Sequence, residues 1–151
     1  MLTNKAKYGL RAMCALQAGE GRWLQAHAIA ARANVPEKFL EAILVELRKA
    51  GFVESRRGHL GGHALARPAE DIMVGDLIRA IDGPLAPVRC ASMSAYEPCS
   101  DCSDPEHCAV RELMRETRAA LSGVLDTCSL KSLTERAGHP AWMQPLAGDA
   151  A

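Results

Sequence analysis

The stretch from residue 25 to residue 66 constrains this chain more than any other. It opens with an alanine-rich run, 25–33, suited to a short helix. Asn34-Val35-Pro36 then makes a tight connection, since Asn tolerates turn geometry and Pro36 favours the first turn of a following helix. Residues 36–50 are expected to form that helix. Its apolar period turns Phe39, Leu40, Ile43, Leu44 and Leu47 inward and leaves Lys38, Glu41, Glu46, Arg48 and Lys49 outside. Gly51 stands where a helix C-terminus needs a residue free of a Cβ. After it the period changes. Phe52–Ser55 and Ala64–Ala66 are short extended segments flanking Arg56-Arg57-Gly58-His59-Leu60-Gly61-Gly62, which predicts a β-hairpin with a glycine-rich tip and Arg56 and Arg57 at its base.

Two helices on a tight turn followed by a hairpin are the parts of a winged helix-turn-helix. A helix fits the major groove of B-DNA, and a flexible basic hairpin lies along the sugar–phosphate backbone or in the adjacent minor groove. On that reading Lys38 contacts phosphate or guanine, and Glu41, three residues on, accepts from a cytosine amino group. Arg56 and Arg57 serve the backbone, and Gly58, Gly61 and Gly62 let the hairpin approach it closely. Charge agrees. The formal net charge is zero, but residues 1–67 hold eleven Lys/Arg against five acids and residues 68–151 hold seven against thirteen. A basic half points to a polyanionic partner.

The remaining elements read as helices. Residues 3–18 carry Thr3 as an N-cap and an apolar stripe of Tyr8, Leu10, Met13, Cys14 and Leu16. Residues 74–82 form a short helix ended by Gly83-Pro84. Residues 108–128 form the longest, with Val110, Leu113, Met114, Thr117, Leu121, Val124, Leu125 and Cys128 on a near-heptad stripe that predicts a dimer seam. A short helix follows over 130–137, then a Pro-, Gly- and Ala-rich tail. Only 4% of the residues are aromatic, so the core is expected to be aliphatic and the fold mainly α. The organisation expected is a DNA-binding domain over 1–82, a cysteine-rich loop over 83–107, a dimerisation helix and final helix over 108–137, and a flexible tail over 138–151.

No apolar run reaches the length of a membrane span, and no apolar signal core follows Met1–Lys5. A cytoplasmic location is expected, where thiols stay reduced. The six cysteines then need an explanation other than structural disulfides. Cys14 and Cys128 sit on apolar stripes and read as small buried hydrophobes. Cys90, Cys99, Cys102 and Cys108 fall within nineteen residues. Three readings are open for them: a structural zinc site, reversible disulfides, or an iron–sulfur cluster, which takes thiolates at irregular spacing. Between Cys90 and Cys108 the loop carries Glu97, Asp101, Asp104 and Glu106 and no Lys or Arg, which disfavours bare thiolates and favours a metal.

The opening LTNKAKYGLRAM, the segment VPEKFLEAILVELRKAGFVESRRG with its glycine wing, GDLIRAIDGPLAPV, and the cysteine loop before CAVRELM follow in order. Together they resemble the bacterial iron–sulfur and redox-sensing repressors typified by IscR, RirA and NsrR, over about residues 1–137. The resemblance implies a homodimer crossed by the long helix, a partly palindromic double-stranded operator, and a [2Fe–2S] or [4Fe–4S] cluster on Cys90, Cys102 and Cys108. It matches Glu41 to the recognition-helix Glu and Arg57 to the wing arginine. Two positions depart from it: Lys7 replaces a carboxylate ligand of the first helix, and Arg111 replaces a histidine ligand after the last cysteine. Cys99 is the expected fourth ligand, with His107 behind it, and zinc is the alternative metal. His63 stands where the family carries an aromatic residue, which predicts looser wing packing. The expected function is a sequence-specific repressor, not an enzyme, responding to iron, redox state or nitric oxide. The alternative is a DNA-binding dimer with a zinc clip or a thiol–disulfide switch.

Overall fold

The computed structural model describes residues 2–136, so the tail expected over 138–151 lies outside the described residues. Helix α1 (Asn4–Ala18) begins where the Thr3 hydroxyl accepts the Ala6 N–H at 3.2 Å. Helix α2 (Ala26–Ala33) ends at Asn34, whose φ of 50° and ψ of 55° are the left-handed geometry that Asn tolerates. Helix α3 (Glu37–Lys49) buries Leu40, Ile43, Leu44 and Leu47. Those side chains join Met13, Leu16 and Ile29 in one aliphatic core between α1, α2 and α3. Gly51 then reverses the chain at a φ of 80°.

Strands β1 (Val53–Arg56) and β2 (Gly62–Leu65) pair antiparallel from Val53↔Leu65 to Arg56↔Gly62. The ladder runs further than the sequence pattern suggests. Arg56 and Arg57 therefore lie at the distal end of the hairpin, not at its base. A two-bond bridge anchors it: Leu24 N–H donates to the His63 carbonyl at 2.9 Å, and His63 N–H returns to the Leu24 carbonyl at 2.8 Å.

A single turn at Ala69–Asp71 leads into helix α4 (Val74–Asp82), which crosses α1 at Gly9. A Cβ at Gly9 would run into the Ile81 side chain. At its far end Asp82 accepts both the Thr3 N–H, at 2.9 Å, and the Thr3 hydroxyl, locking the start of α1 to the end of α4.

Helix α5 (Ala109–Leu125) is followed by α6 (Leu130–Arg136). The stripe expected to run to residue 128 stops at Leu125. Arg79 of α4 grips Asp126 with two hydrogen bonds of 2.7 Å, and Val74 N–H donates to the Cys128 carbonyl at 2.9 Å. These bonds pull the chain back to α4. Cys128 accordingly packs with Val74 and Ile78 rather than along the α5 seam. Leu130 of α6 is fully buried, and its N–H reaches the Ile72 carbonyl at 2.8 Å. Helix α5 itself has no buried residue. Among the described residues no helix is long and apolar enough to cross a membrane.

Candidate DNA-contacting surface and cysteine loop

The exposed face of α3 carries Lys38, Glu41 and Lys49. Phe39 was expected inward with its neighbours, but it is 49% exposed. Leu40, Ile43, Leu44 and Leu47 already occupy the helix's packing face, which leaves Phe39 on the flank beside Tyr8, ring centroids 6.4 Å apart. The Lys38 ammonium stands 4.9 Å over its ring. Val45 is likewise exposed.

In the wing, Arg56, Arg57 and Gly58 are exposed, whereas Gly61 and Gly62 are buried. A Cβ at Gly61 would meet the Arg56 carbonyl, and one at Gly62 would meet that of Leu24. The missing side chains are thus a requirement of the fold itself. The Gln25 side-chain amide, at the start of α2, donates to the Gly61 carbonyl at 3.0 Å and holds the turn against the helix-turn-helix. The sequence reading passed over Gln25, because its partners lie more than thirty residues away.

His63 is half-buried in β2, with Nδ1 2.9 Å from the Ser55 hydroxyl. Burial, with the Arg48 charge adding, holds its imidazole below the ordinary value of 6.5. The unfolded chain therefore takes up the proton first as pH falls. Wing stability is full above pH 6.5 and declines below it, through the lowered folded value. Hydrogen exchange of residues 53–65, corrected for intrinsic rates, is expected to quicken below that pH. His63→Gln should flatten the dependence; an unchanged profile would assign it to another group.

The cysteine loop leaves α4 at Gly83, where φ is 85°. Cys90 and Ala91 are buried in a short turn spanning Arg89–Ala91. Cys108 caps α5, its sulfur accepting the Arg111 N–H at 3.5 Å. The Arg111 guanidinium, from the first turn of α5, donates to the carbonyls of Cys90 at 3.0 Å and Pro105 at 2.8 Å and covers the Tyr96 ring. Arg118, two turns on, donates to the Ala91 carbonyl at 2.6 Å. Arg89 pairs with Glu97. Thus the stretch between Cys90 and Cys108, which has no Lys or Arg of its own, is held by arginines on either side of it. The only available sequence signal was an arginine three residues past the last cysteine, and it read merely as a lost ligand.

Cys99 is exposed, and its thiol lies within hydrogen-bonding reach of Cys90. That hydrogen bond and the Cys90 charge push the Cys99 thiol up, with Asp101 and Cys102 adding. Among the described residues no group of three or more His, Cys, Asp or Glu side chains is gathered as a metal site. The loop conformation brings two of the four predicted thiols together. His107 is exposed and engaged with Asp104 at 2.7 Å. Cys14, outside the loop, is pushed up to about 11 by burial, with Cys128 adding, so it is no nucleophile at neutral pH.

A helix-turn-helix braced by a two-stranded wing, with a long helix beyond it, defines a DNA-binding transcriptional regulator. The chain belongs to the Rrf2 family: the family model, described as an iron-dependent transcriptional regulator, matches residues 2–136. An rrf2-like HTH-type transcriptional regulator of Rhodobacter capsulatus is 42% identical over 146 residues, covering 93% of this chain and 96% of the relative. The structure of CymR, the global cysteine regulator of B. subtilis, aligns with a TM-score of 0.70 at 36% identity, over 88% of this chain and 95% of CymR. IscR of T. potens aligns with a TM-score of 0.66 at 31% identity, over 88% and 85%. This membership makes the chain a regulator and not an enzyme.

Proposed function

We propose that this chain is a cytoplasmic, dimeric repressor that holds a partly palindromic operator with α3 and the wing, and whose affinity is set by its cysteine loop. The observation that carries this reading is the clasp of Arg111 and Arg118 on the carbonyls of Cys90, Ala91 and Pro105. It ties any rearrangement of the loop to α5. Helix α5 exposes Val110, Leu113, Leu121 and Val124, an apolar seam that a second copy of α5 would cover. Two DNA-binding units, each within residues 1–82, would then be carried by one helix pair, and turning that pair changes their fit to two half-sites.

The donor set suits a thiolate-held cluster: four cysteines, two of them adjacent in space and one at the N-terminus of α5. Cys90, Cys99, Cys102 and Cys108 are the residues assigned to it. When bound, an iron–sulfur cluster would supply a centre sensitive to iron supply, oxidants and nitric oxide. The adjacency of Cys90 and Cys99 favours a second reading, a disulfide between them. The two thiols would surrender two electrons and two protons to a hydroperoxide, which leaves as water and an alcohol.

Anaerobic purification separates the readings. Brown protein with iron and acid-labile sulfide supports the cluster, and colourless protein with stoichiometric zinc overturns both sensing readings. A Cys90–Cys99 disulfide mapped by mass spectrometry after peroxide, in protein purified free of iron, supports the second. On the DNA side, Arg57→Ala should weaken binding to all sequences alike. Glu41→Ala should reduce discrimination at one base pair by about 1–3 kcal/mol. Undiminished discrimination would remove Glu41 from the contact surface.

A further inference from the structure

Three apolar side chains of α3 stand outside its packed face. Phe39 is 49% exposed and Val45 is 41% exposed, and Ala42 between them is exposed as well. Spaced three residues apart, they form one oblique strip that starts at Phe39 on the Tyr8 flank and runs round to Val45, on the side away from the buried Leu40, Ile43, Leu44 and Leu47. Helix propensity argues against this choice. A β-branched valine at an exposed helix position loses rotamer freedom and gains no packing in return. Nor does the fold shelter the phenyl ring: a groove of about 400 Å³ between α1 and α3, lined in part by Tyr8, Phe39 and Ala42, leaves it half covered.

The charges around the strip name its partner. Lys38 and Lys49 flank it on α3, and Lys7 reaches over the Tyr8 ring beside Phe39, whereas Lys5 is paired with Glu46 at 2.7 Å. A cationic frame around an apolar strip suits a polyanion that presents apolar groups. In the major groove the only apolar group on any base edge is the C5 methyl of thymine. We propose that the Phe39–Ala42–Val45 strip reads thymines by contact with their methyl groups, beside the position assigned to Glu41. The inference rests on α3 being the groove-facing helix, as in the function proposed above.

The test uses the full chain and an operator obtained by in vitro selection from randomised duplexes. Each thymine of one half-site is replaced in turn by deoxyuridine, which removes the methyl and nothing else. For wild type, affinity should fall about fourfold at one or more positions, the loss expected for one buried methyl-sized group. The Phe39→Ser/Val45→Ser variant should bind the thymine and deoxyuridine duplexes alike. Phe39→Ser also gives up the contact with Tyr8, so both proteins are compared at a temperature where circular dichroism shows the variant fully folded. Indifference of wild type to deoxyuridine at every position overturns the inference while leaving α3 as the DNA-contacting helix. So does methyl sensitivity that survives in the double variant. Failure to select any duplex overturns the DNA-contacting reading of α3 and this inference together.

Discussion

Gly62→Ala is expected to detach the wing and abolish specific DNA binding while the helical core stays folded. Gly62 has a φ of 133°, a region essentially closed to residues with a Cβ. A Cβ there would lie 2.6 Å from the Leu24 carbonyl carbon and 3.0 Å from the Gln25 nitrogen. Neither backbone atom can withdraw without breaking the Leu24–His63 bridge, the bond pair that anchors the hairpin. Backbone strain and overlap together should cost about 3 kcal/mol or more. The measurements are far-UV circular dichroism, hydrogen exchange over residues 53–65, and operator affinity. Gly58→Ala is the control: its φ is 99°, but nothing lies within 4 Å of the added Cβ. It should carry the conformational penalty alone and keep most of the affinity. Equal losses from the two variants would place the effect in loop flexibility rather than in the bridge.

Arg111→Ala is expected to release the cysteine loop from α5 and expose Cys90. The guanidinium makes two charge-assisted hydrogen bonds to carbonyls on either side of the loop. Such bonds contribute about 1.5–3 kcal/mol each when removal leaves a partner unsatisfied. Partial exposure reduces that figure, so a local opening cost of about 1.5–3 kcal/mol in total is the working value. Reaction of Cys90 with a disulfide reagent, in metal-free protein reduced beforehand and freed of reductant, should then accelerate about ten- to a hundredfold. Arg111→Lys should not restore the slow rate, because an ammonium cannot span both carbonyls as the planar fork does. Arg115→Ala removes a guanidinium that pairs with Glu112 at 3.6 Å and should leave the rate unchanged. A Cys90 rate insensitive to Arg111 would dissolve the proposed link between loop and helix.

The cores of α1 to α4 were legible because the signals that start, stop and bury a helix are local. Thr3 reaches a donor three residues ahead, Asn34 takes the turn its side chain tolerates, and Leu40, Ile43, Leu44 and Leu47 share a face by period alone. The cysteine spacing was equally visible, and so was the ordered set of motifs behind the family resemblance. Phe39 was misjudged for a physical reason: period places it at the edge of the apolar face, and only the packing of α1 decides on which side of that edge it falls. Cys128 was drawn into the seam because its spacing fits. Arg79, by gripping Asp126 forty-seven residues on, ends the helix before it reaches Cys128.

Sequence alone determined that this chain would be a mainly helical winged helix-turn-helix with a cysteine loop before its longest helix. Those properties come from interactions within a few residues, which the chain order states directly. The tertiary structure decided where the wing is pinned, why Gly61 and Gly62 lack side chains, where α5 ends, and that Arg111 and Arg118 hold the cysteine turn. Each of these rests on a partner between about ten and fifty residues away, or on a backbone atom that any residue could have supplied. Such contacts leave no trace in local pattern, because what selects them is the geometry of the folded core.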